Sequence, residues 1–335
     1  MQLQTTTQKF YTKIYQQNFS PDEKYLIASD AFNRLILFPL TSPQKSNKSR
    51  RIWRVKQPIY SMCTFSGSNI LLCGDTTGKI SGYSWNNIVG NQNGELKSNF
   101  VYSHKEREIN NIASLDEGRK FLLGYGDGSV GFGDLEMPGK LISSFESHSD
   151  QVNEIATRSD AEFLSCYNDG TVSMWDIRTG KKPVKVFNIH EEKRVLRQGF
   201  SKGIFTLAVD NEFMVCGGDV ELGLWHIGSG TLATTFNKAT SFTDQTVYYA
   251  TEMSNGSITA AGTQSRIQYF DYSGNLLSTI PLKIPTVYSA CSTKLDKPRV
   301  VTAVAGKSSN IEVILNHGYV SATFDTIEEE KSDLD

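Results

Sequence analysis

A short apolar run, a polar turn and a second run recur seven times along the 335 residues of this chain. The first runs occupy residues 26–28, 70–74, 121–124, 163–165, 214–217, 258–262 and 300–303. The second runs read RLILF, KISGY, SVGFG, TVSMW, ELGLW, RIQYF and IEVIL. They end at Phe38, Tyr83, Gly133, Trp175, Trp225, Phe270 and Leu315, spaced 42 to 50 residues apart. A fixed period of this length means one supersecondary unit repeated, because a single unit cannot bury both of its faces.

The period fits blades of roughly 40–45 residues, each a four-stranded sheet. The sequence therefore predicts an all-β, seven-bladed β-propeller over residues 12–325. Residues 1–11 are read as an N-terminal extension and residues 326–335, which hold IEEEKSDLD, as an acidic disordered tail. In each blade a first strand such as QVNEIATR lines a central channel. A second such as FLSCY is buried on both faces, a third such as TVSMWDI alternates, and a fourth such as PVKVF lies outermost. Two closures are open: contacts between blades one and seven alone, or an added outer strand from residues 4–11.

Unit four, HSDQVNEIATRSDAEFLSCYNDGTVSMWDIRTGK, resembles a WD40 repeat down to Trp175-Asp176. The resemblance implies a hydrogen-bond network through His148, Ser165, Asp169 and Trp175. A buried indole N–H needs an acceptor, and a hydroxyl both accepts and passes a bond on. The other units depart from the pattern: blade five ends in Trp225-His226, blades one and six carry Phe38 and Phe270, and blade three carries Gly133.

The chemistry classes thin out quickly. The five histidines have no close His or Cys neighbour, no C-x-x-C occurs, and no nucleophile elbow or Walker loop is present, so no catalytic residue, metal or cofactor is expected. GYGDGSVGFG reads as a hairpin turn. Cys63, Cys73, Cys166, Cys216 and Cys291 are odd in number and widely spaced, as buried free thiols are. No apolar run is long enough for a membrane span, and the net charge of −2 gives no general pull toward nucleic acid or membrane. One stretch, PQKSNKSRRIWRVK, carries Arg50, Arg51 and Arg54 around Trp53 and is a candidate for weak RNA contact, against the reading of a solvated loop entering the outer strand of blade one.

Beyond the repeat, several stretches resemble the THO complex subunit 6 family. They are DNEFMVCGGDVELGLWHIGSGTLATTF, PIYSM, NDGTVSMWDIRTGK with HEE after it, and VVTAVAG with IEVILNHGY. The likeness is strongest in blades four, five and seven. It implies a nuclear, non-catalytic scaffold within the TREX mRNA-export assembly, with other THO/TREX subunits as partners and RNA touched weakly or indirectly. Trp175, Asp176 and Arg178 also match the W-D-x-R pattern of cullin-4 ligase substrate receptors. The alternative is therefore such an adaptor, with Arg178 as its contact.

Overall fold

A computed structural model describes residues 11–40, 47–91, 94–103, 106–116, 118–137, 139–146, 150–236, 245–254, 256–293 and 299–327. The strands form seven antiparallel sheets of four, each built from consecutive strands. This is the seven-bladed β-propeller that the period predicts. Blade one opens with Ile14–Phe19 and blade seven ends with Tyr319–Asp325.

Seven apolar clusters hold the ring, each lying between two adjacent blades. The cluster of blades three and four joins Leu122, Val130 and Phe145 to Val152, Phe163 and Trp175. That of blades four and five joins Leu164, Met174 and Phe187 to Ile204, Met214 and Trp225. Each sheet is thus covered on both faces, which is why its middle strands are apolar almost throughout. The expected alternation of the third strands accordingly fails. All five residues of Val172–Asp176 are buried, since both faces of the sheet meet a neighbour. Gly133 pairs with Phe121 where blade four pairs Trp175 with Phe163. The Phe121 ring fills the space a side chain on Gly133 would need.

Blade seven draws all four strands, Val287–Ser292, Val301–Gly306, Asn310–Leu315 and Tyr319–Asp325, from the C-terminal end. Among the described residues, no N-terminal strand joins it; residues 4–10 of the second closure lie outside them. Blade one meets blade seven through side chains. Phe38 stacks on Phe324 with centroids 5.4 Å apart. Buried Gln17 donates its amide to Ala303 O at 2.7 Å. Past the last strand, Thr326 and Ile327 are still buried, and the Thr326 hydroxyl donates to Ser309 O at 2.8 Å. The packed chain therefore runs to Ile327, two residues beyond the expected boundary. The five cysteines are free, but only Cys73, Cys166 and Cys216 are buried; Cys63 and Cys291 are partly exposed.

Candidate functional site

In blade four the fully buried Trp175 donates its indole N–H to Ser165 Oγ at 2.9 Å. Ser165 Oγ also lies 2.6 Å from the hydroxyl of buried Tyr167, a partner that sequence reasoning missed. Asp169 sits on the turn between the second and third strands. It accepts from Thr171 N at 3.0 Å and Thr171 Oγ1 at 2.6 Å, while Gly170 takes the positive φ of 84° that closes the turn. His148 lies outside the described residues. Blade five offers a contrast. Cys216 stands where blade four has Ser165, so among the described residues the buried Trp225 indole N–H faces only a thiol, a weak acceptor, in place of a hydroxyl.

The basic stretch does not act as one patch. Arg51, on the outer strand Arg51–Arg54 of blade one, reaches the helix Trp85–Gly90 of blade two. Its Nη1 donates to Val89 O at 2.6 Å, Asn91 O at 3.0 Å and Ile88 O at 3.3 Å. These are the carbonyls a helix leaves unpaired at its C-terminus, where a cation is also favoured by the dipole. Arg50 donates to Asn47 O at 2.8 Å. Trp53 is buried in the cluster between blades one and two, so it cannot stack on a base. Arg54 alone of these residues is fully exposed. Arg178 follows the third strand of blade four. Its guanidinium folds back on Asp176, with Nη2 2.7 Å from Oδ2 and Nε 2.9 Å from Oδ1. The Asp176 carboxyl is held below its usual pKa by that pairing.

One constellation escaped the sequence reading altogether. All seven first strands carry a register shift after their first residue. The residue left unpaired is Tyr15, Tyr60, Asn110, Asn153, Phe205, Tyr249 or Tyr288. A bulge of this kind re-aims a side chain. All seven line one cavity of about 490 Å³ at the mouth of the central channel. Its aromatic members come from blades five, six, seven, one and two, which are contiguous in the ring. Phe205 stacks on Tyr249 at 5.4 Å, and Tyr249 meets Tyr288 edge-on at 5.6 Å. Tyr15 meets Tyr60 edge-on at 4.8 Å.

Blades three and four supply the opposite wall: Asn110, Asn111, Asn153 and Glu154. Glu154 accepts from Leu207 N at 2.7 Å. Burial pushes its carboxyl up to about 7, opposed by that bond and one from Thr206, and the Glu252 charge adds to the rise. The sequence signal was present in the pairs IY, IY, IN, VN, IF, YY and VY that open the first strands. Among the described residues no group of three His, Cys, Asp or Glu side chains is placed to hold a metal, and no helix is long and apolar enough to cross a membrane.

Comparison with known proteins agrees with this architecture. A family model described as WD domain, G-beta repeat, matches residues 139–176, the blade-four unit that carries Trp175. The THO complex subunit 6 homolog of Danio rerio is 27% identical over 92% of this chain and 96% of its own length. The Homo sapiens THO complex subunit 6 is 28% identical over 93% and 92% respectively. In structure, the WD40 beta propeller domain of Doa1 superposes with a TM-score of 0.70 at 16% identity, covering 91% of this chain and 92% of that one. The chain is a seven-bladed β-propeller whose blade four matches the WD-repeat model, and it is similar to THO complex subunit 6 proteins over 92–93% of its length.

Proposed function

We propose that this propeller is a non-catalytic scaffold subunit of a nuclear THO/TREX-type complex, coupling mRNA transcription and processing to export through protein contacts. One observation carries the proposal. The similarity to THO complex subunit 6 spans the whole ring at 27–28% identity, and nearly the whole of each relative. A shared blade alone would reflect the repeat; similarity over the whole ring supports a common propeller. A propeller suits the role, since it offers two loop faces and a rim to several partners at once.

RNA is a minor partner in this scheme. Of the three arginines at 50, 51 and 54, two are engaged on backbone carbonyls, which leaves Arg54 as the exposed arginine, with Lys48 and Lys56 the exposed lysines of the stretch. Few phosphate contacts mean a shallow fall of RNA affinity with salt, about 0.7 in log–log slope for each contact to a single strand. The cullin-4 adaptor alternative places Arg178 on a ligase component; Asp176 holds Nε and Nη2 of that exposed guanidinium, so a partner would compete with this pair.

The test is affinity purification of the tagged full chain after RNase treatment, with mass spectrometry of what co-purifies. THO subunits are expected, and Arg178→Ala is expected to retain them. Recovery of a cullin-4 adaptor that Arg178→Ala removes, with no THO subunit present, overturns the proposal.

A further inference from the structure

The geometry points to the channel mouth as a receptor for a guanidinium group: an arginine side chain, carried on an extended segment of a partner protein, inserted between the aromatic arc and the Asn/Glu wall. This goes beyond the scaffold role and does not depend on which complex the propeller joins.

Four observations converge on that ligand. First, five neighbouring blades each place one aromatic ring on the cavity, and aromatic faces are electron-rich; cations are attracted to such faces, the planar guanidinium most often. Second, the wall opposite offers acceptors. Asn153 spends its amide nitrogen on Ile204 O at 2.7 Å and Asn168 Oδ1 at 2.9 Å, and Asn110 donates to Val152 O at 3.0 Å. The side-chain oxygens of Asn153 and Asn111 each accept one bond, from Gln151 Nε2 and Ile155 N at 3.2 Å, and each has a second lone pair to offer, beside the Glu154 carboxyl. Arginine carries five donors and no acceptor, so it complements such a wall. Third, among the described residues no lysine or arginine lines the cavity. A nucleic-acid strand threaded here would find no countercharge for its phosphates and one carboxylate to repel them. Fourth, the volume of about 490 Å³ exceeds one side chain, leaving room for the backbone on either side. An ammonium is less well suited, because a compact, strongly hydrated charge cannot lie flat against the aromatic arc while it faces the wall.

The probe is a five-residue peptide with one arginine between glycines, titrated calorimetrically into the full chain beside its citrulline and lysine counterparts. Citrulline keeps the shape and loses the charge, so this comparison needs no variant to fold. The arginine peptide is expected to bind about tenfold or more tightly than either, a difference of about 1.4 kcal/mol. Tyr249→Leu and Glu154→Gln, each checked for a cooperative melt, are expected to weaken the arginine peptide by about the same factor. Three results each overturn the assignment: citrulline or lysine binding as tightly as arginine, no binding of the arginine peptide at millimolar concentration, or tight binding of an oligouridine that Tyr249→Leu abolishes.

Discussion

Trp175 makes two kinds of contact that can be removed separately. Its ring stacks on Phe163 with centroids 6.0 Å apart and meets Phe145 edge-on at 5.4 Å, while its N–H satisfies Ser165. Trp175→Ala removes both and opens a cavity, at an expected cost of about 3–5 kcal/mol. Trp175→Phe keeps most of the packing and loses only the bond, at about 1–2 kcal/mol. Urea denaturation that ranks the two variants equal contradicts this division. Glu154 sets a different expectation, in pH. Its carboxyl titrates near 4.5 when unperturbed and at about 7 in the fold. The native state therefore holds more protons than the unfolded chain between those values, and this group's contribution to stability falls as pH rises from about 4.5 to about 7. Glu154→Gln is expected to flatten the pH dependence of the denaturation midpoint across that window; a slope unchanged by the substitution contradicts it.

The helix Trp85–Gly90 shows how one arginine joins two elements. Arg51→Ala leaves three carbonyls of its C-terminal turn without their cation, at an expected cost of about 1–3 kcal/mol. Arg54→Ala, three residues away on an exposed position, is expected to stay within about 0.5 kcal/mol. Equal melting shifts for the two variants count against the capping role. Reversing all three arginines at once therefore mixes folding with RNA binding, and Arg54 is the position that separates them. Legibility in the sequence also changes at this scale. The second and third strands are legible because burial on both faces writes them as apolar runs such as IEVIL and FLSCY. The Trp175–Ser165 pair is legible because WD sits at a repeated place. The channel ring was missed because each blade marks it with a single bulged residue, such as Tyr15, and the bulge breaks the strand period that would have shown where that residue points. Arg51 looked like its neighbours because its three acceptors lie 37 to 40 residues ahead in the chain.

The closed ring makes both ends of the chain structural. Blade seven completes itself and then seats Thr326 and Ile327, so truncation after Ile327 is expected to leave the melt unchanged, while truncation after Asp325 lowers it. Identical melts for the two truncations would remove Thr326 and Ile327 from the packed domain. The seven-fold period fixed the blade number, because spacing survives even where Gly133 or Phe270 replaces the Trp. It could not fix the closure, because that depends on tertiary contacts such as Phe38 on Phe324, which leave no periodic mark. The function rests on the ring as a whole, and the most direct measurement treats it so. The purified chain, mixed with nuclease-treated THO assembly lacking its subunit 6, is followed by sedimentation velocity. The scaffold role predicts that the propeller moves with the assembly, without RNA and at physiological salt; sedimentation as the free propeller under those conditions, or association only when RNA is restored, contradicts it.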